Sequence, residues 1–128
     1  MGESYRDLKA WQSAVALALN VYRVTKDFPR EEVYGLSSQM RRSAVSAASN
    51  IAEGKGRFSQ KELLQFLFRA RGSLLELETQ VEIASELCYL DESTMKGIMA
   101  KASESGRLLN GLIKVFQNNI EIGEKLAV

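Results

Sequence analysis

Between Arg41 and Arg71 the chain places seven cations, Arg41, Arg42, Lys55, Arg57, Lys61, Arg69 and Arg71, against two acids, Glu53 and Glu62, a local net of +5. Clustered Lys and Arg give sequence-independent affinity for phosphates through counterion release, so the first chemistry this segment suggests is the gripping of an RNA or DNA backbone. The next stretch, Gly72 to Glu92, holds six acids and no base, a local net of −6. The cations therefore have two other uses, rim salt bridges to the acidic part of a neighbouring subunit or protein partner, or plain solvation. A helix that is basic first and acidic later opposes its own macrodipole, so helix stability does not explain this order.

The densest part of the segment is "SNIAEGKGRFSQKE", Ser49 to Glu62. It is no Walker loop, because G-x-x-x-x-G-K-[ST] is absent and no strand precedes it. Gly54, Lys55 and Gly56 could cradle an anion beside the amides that open the next helix. A helix end, a tight turn and a capping box, with Ser59 at the cap and Glu62 three residues on, account for the same residues without a ligand. Asn50 and Glu53 lie three apart, hence on one helix face, and Arg57 can fold back to pair with Glu53. These residues read as a polar corner that positions two helices.

Catalysis is poorly provided for. The 128 residues contain no histidine, which removes the commonest general base, metal ligand and pH switch. The one cysteine, Cys88, has no histidine to activate it and reads as a buried structural thiol in a reducing compartment. A lone carboxylate beside an arginine lacks a nucleophile, a metal or a second acid. The expectation is a non-enzymatic protein without metal or cofactor. With 45% hydrophobic and 26% charged residues and a formal charge of +1, the composition is that of one ordinary globular domain spanning residues 1–128. The start, "MGESYRDLKAW", shows no apolar signal region, and no apolar run approaches the roughly 20 residues that span a bilayer, so the expected setting is cytoplasmic.

The elements that must position the cations follow from apolar spacing. Leu8, Trp11, Val15, Ala18, Leu19 and Tyr22 mark a first helix, Asp7 to Lys26, which Pro29 and Gly35 separate from the next. Leu36, Met40, Ala44, Ala47 and Ile51 mark a second, stopping near Gly54, whose Ser43, Ser46, Ala48 and Ser49 are small enough to let a neighbour come close. A third opens at Ser59 and continues to about Tyr89, with Leu63, Phe66, Leu67, Ala70, Leu74, Leu77, Val81 and Ala84 inward. Asp91 caps a fourth, reaching Ile120 or Ile122. Four amphipathic helices with short connections predict an all-α, antiparallel up-and-down four-helix bundle. Helix three also carries a second apolar row, Leu64, Phe68, Gly72 and Leu75, which suits either an oligomer interface or a wide core face.

"DLKAWQSA", "FPREEVYGLSSQMRRSAVSAASNIAEGKGRFSQKELLQFLFRARGSLLELETQ" and "LLNGLIK" closely resemble the bacterial 23S ribosomal RNA intervening-sequence protein family, "SNIAEGKGR" being the most specific piece. Members are similar in fold to an accessory protein of diversity-generating retroelements. The resemblance implies a ring-shaped homopentamer and, by analogy with that basic, barrel-like accessory protein, a nucleic-acid role. Ala47 and Ala48 stand where many members have Ile-Pro, and the near-neutral net charge differs from the strongly basic accessory protein. A ring that serves as a scaffold for a protein partner is the alternative.

Overall fold

The structure is a computed structural model describing residues 4–126, in which four α-helices and no strands occur among the described residues. They are α1 (Lys9–Thr25), α2 (Leu36–Lys55), α3 (Gln60–Glu86) and α4 (Glu92–Leu126), with single 3₁₀ turns at Tyr5–Asp7 and Arg30–Glu32. Each helix packs on its neighbours in sequence and α4 closes on α1, so the cyclic order is that of an up-and-down bundle. One core joins them, built on Leu17, Val21, Met40, Ile51, Leu67, Leu77, Val81, Ile98 and Leu109, all fully buried. Two serine pairs cross the seams: Ser13 and Ser105 hydroxyls meet at 2.6 Å between α1 and α4, and Ser46 and Ser73 at 2.9 Å between α2 and α3.

The bundle has two distinct ends. At the upper end, α1 stops where the Thr25 hydroxyl turns back to the Val21 carbonyl, and Pro29, itself extended with ψ 143°, leads into the 3₁₀ turn at Arg30–Glu32. Buried Phe28 lies against Tyr89, ring centres 5.3 Å apart. The Glu32 carboxylate accepts from the Leu36 amide at 3.0 Å and from the Tyr89 hydroxyl at 2.8 Å, capping α2 and tying it to the α3–α4 turn. These two bonds hold the Glu32 carboxyl below its ordinary value, and the bond to Glu32 raises the Tyr89 phenol. Asp91 caps α4, accepting from the Thr94 amide at 2.7 Å, which lowers its carboxyl.

Several boundaries differ from the periodicity. The first helix begins at Lys9, after a 3₁₀ turn at Tyr5–Asp7. α2 runs unbroken through Ala47, Ala48 and Gly54 to Lys55. Gly54 therefore does not end it in the left-handed region: a Cβ there would lie 3.0 Å from the Phe66 Cβ and 3.1 Å from the Leu63 carbonyl, so its role is to let α3 approach. α3 stops at Glu86, because the Tyr89 amide bonds the Ala84 carbonyl and the Cys88 amide bonds Ser85, a Schellman end. Cys88 occupies its left-handed position, with φ 63°, and is exposed; the expectation of a buried thiol was wrong because the turn points it outward. α4 continues to Leu126, since nothing before it supplies a proline or a cap.

The second apolar row of α3 splits. Leu64, expected at an oligomer interface, is instead buried within the subunit. Gly72 is exposed with open space around it, and Phe68 and Leu75 are 38% and 58% exposed. Only those three remain available to a partner.

Candidate nucleic-acid interface

The lower end of the bundle carries the α2–α3 corner. Here α2 closes with the Gly56 amide on the Ala52 and Glu53 carbonyls and the Arg57 amide on Gly54. α3 opens on Ser59, whose hydroxyl accepts from the Glu62 amide at 3.3 Å. That is the serine half of a capping box; no bond from the Glu62 carboxylate back to Ser59 occurs among the described residues. Both helix ends are thus satisfied by the chain itself.

The side chains of the corner are arranged around an aromatic ring. The guanidinium carbon of Arg57 lies over Phe66 at 4.4 Å and that of Arg69 over the same ring at 4.7 Å. A cation–π contact with a half-buried phenyl restrains both cations and leaves N–H groups for other acceptors. Arg57 also pairs with Glu53, but at 3.9 Å and on an exposed face, which is a weak tether. Arg69 forms no ion pair among the described residues. Lys55 is half-buried at the end of α2, and Lys61 reaches Glu124 of α4 at 3.7 Å. Phe58, at the tip of the turn, is 107% exposed.

Asn50 does not join Glu53 and Arg57. Its amide donates to the Ser46 carbonyl at 2.9 Å and to the Ser46 hydroxyl at 3.0 Å, extending the Ser46–Ser73 link one turn along α2. It braces the α2–α3 seam above the corner.

The seven cations therefore do not form one patch. Arg41 and Arg42 stand near the opposite end of α2, lining an open concavity of about 490 Å³ with Tyr22, Val33, Ser38, Val45 and Ser46. Arg41 is engaged there, donating from Nε to the Thr25 hydroxyl at 2.8 Å and lying 4.7 Å over Tyr22. Arg71 faces α4, 5.0 Å over Phe68 and at the long distance of 3.5 Å from the Asn110 side-chain oxygen. Residues two apart on a helix point to different sides, so Arg69 and Arg71 separate by geometry alone. The spacing carries that signal, as it does the i, i+3 pair of Phe66 and Arg69, which the apolar stripe had claimed for the core. No group of three or more His, Cys, Asp or Glu able to hold a metal occurs among the described residues, and no helix among them is long and apolar enough to cross a membrane.

The fold and the corner define a class: an all-α up-and-down bundle with a cation-rich helix junction at one end and a carboxylate-tied junction at the other. The chain belongs to the 23S rRNA-intervening sequence protein family, whose profile matches residues 6–111, covering α1 to α3 and the first part of α4. Among solved structures it is similar to a protein with unknown function from the S23 ribosomal protein family of Bacteroides thetaiotaomicron VPI-5482. The TM-score is 0.74 at 21% identity, over 82% of this chain and 98% of that one, a likeness of fold. No curated protein matches the chain.

Proposed function

We propose that the protein is a non-enzymatic, nucleic-acid-binding accessory protein that works as a homo-oligomer in the cytoplasm. The observation that carries this reading is the pair of guanidiniums braced on Phe66 at the corner. Arg57 and Arg69 are held over the ring while their ion-pair demand is met weakly or not at all among the described residues. Fixed cations lose little freedom when a phosphate arrives. Lys55 adds to the same corner, and Lys61 joins when its long exposed tie to Glu124 is exchanged for a phosphate. Exposed Phe68, Gly72 and Leu75 offer the second copy a surface on α3, and the ring-shaped pentamer implied by family resemblance is the assembly we assign.

The test is light-scattering mass and fluorescence anisotropy with a structured RNA at low and moderate salt. Binding should weaken steeply with salt, in proportion to the phosphates contacted, and the Arg57→Ala, Arg69→Ala variant should lose at least tenfold affinity with its mass unchanged. A protein of pentamer mass that ignores RNA at every salt concentration would sink the binding reading and leave a scaffold for a protein partner.

A further inference from the structure

The turn that carries the two stacked arginines also carries an aromatic that local packing rules place elsewhere. Phe58 immediately precedes the Ser59 cap, and an apolar residue there ordinarily folds over the fourth residue of the new helix to form a hydrophobic staple. That fourth residue is Leu63, which is 6% exposed and faces the core, while Phe58 is 107% exposed. The staple is not formed. A full phenyl ring is left in water at the tip of a turn, next to Arg57 in the chain and three residues from both Lys55 and Lys61.

We infer that Phe58 is a base-stacking platform, and that the nucleic acid taken by the corner is single-stranded. This rests on the proposed binding function and narrows its substrate. Stacking on an aromatic requires a base whose face is free, and a duplex hides its base faces in the stack. A ring standing out from the turn can take the face of an unpaired base, while Arg57 and Arg69 hold the flanking phosphates from the Phe66 side. The arrangement combines a sequence-tolerant aromatic with backbone-directed cations and contains no constellation for reading base edges, so it suits any unpaired stretch of RNA or DNA.

The experiment is fluorescence anisotropy of the full chain with labelled oligo(U), oligo(dT) and a duplex of equal length. Single strands should bind at least tenfold tighter than the duplex. Phe58→Ala should weaken single-strand binding by about tenfold, leave duplex binding and the salt slope unchanged, and leave the melting temperature unchanged because the ring packs on nothing. Phe58→Trp should keep the affinity, and the emission it adds to that of Trp11 should be quenched by oligo(U). Equal binding of single strands by wild type and Phe58→Ala, or a preference for duplex, overturns the platform while leaving the Arg57 and Arg69 reading intact. A lowered oligomer mass in Phe58→Ala with unchanged affinity also overturns it, by making the ring a subunit contact. If no oligonucleotide binds, the proposed function fails together with this inference.

Discussion

The two ends of the bundle use polar side chains in opposite ways. At the upper end, Glu32 accepts two hydrogen bonds, Tyr89 donates one of them, and Asp91 caps α4. Charge there is consumed in joining the 3₁₀ turn at Arg30–Glu32, α2 and the α3–α4 turn. At the lower end, Arg57 and Arg69 rest on Phe66, Lys61 reaches across to a distant glutamate, and Phe58 touches nothing. The lower junction is held instead by the close backbone approach at Gly54 and by small serines, the Ser59 cap and the Ser46–Ser73 link above it. An end whose stability comes from main chain and small residues can leave its large side chains free for a ligand.

The sharpest way to break this contrast is to attack the lower junction where it holds. Gly54→Leu would drive a side chain into the Phe66 Cβ and the Leu63 carbonyl, parts of α3 that cannot turn aside. It should cost about 1–3 kcal/mol, seen as a lowered midpoint in urea unfolding. Equal stability of variant and wild type would show that the helices are not in tight contact there.

The upper end should respond to pH. Because the Leu36 amide and the Tyr89 hydroxyl depress the Glu32 carboxyl, its stabilising contribution is present above the ordinary glutamate value of about 4 and disappears as pH falls through the lower, folded value. Tyr89 adds the opposite flank: its raised phenol contributes below about pH 10 and ceases to do so as pH rises through the folded value. Glu32→Gln should therefore lower Tm at pH 7, with the gap to wild type closing in acid, while nucleic-acid binding at neutral pH stays the same. A gap independent of pH would mean that ionisation of Glu32 is irrelevant to the junction.

The smallest effect sharpens the comparison by improving the upper end. Cys88 holds a left-handed conformation that costs a side-chain-bearing residue energy, so Cys88→Gly should raise stability by about 0.5–1 kcal/mol, measured by thermal unfolding. A loss of stability would mean that the Schellman turn is not strained.

Much of the fold is legible in the residues. Apolar positions three and four apart place all four helices, and Pro29, Ser59 and Asp91 act where their chemistry says they should. What is not legible depends on neighbours that are distant in sequence. Leu64 disappears into the core because α3 packs on both α2 and α4, so its apolar face is wider than one stripe. Gly54 resembles a helix stop until α3 is seen against it. The cations read as one basic segment because a linear count ignores helix rotation, which sends Arg69 toward Phe66 and Arg71 toward α4. Phe58 gave no local warning, since a capped helix start predicts a stapled ring and only its full exposure in the structure shows it free.

The outward turn of Cys88 has a practical consequence. It is the only cysteine, at the upper end, and Trp11, the only tryptophan, packs edge-on to Tyr5 at the lower end. Fourteen residues of α1 separate these levels, about 20 Å of helix rise. A small acceptor dye attached to that thiol would be excited by energy transfer from the indole, giving a built-in optical ruler along the bundle axis. Its signal would follow end-to-end distance during unfolding with no further labelling site engineered.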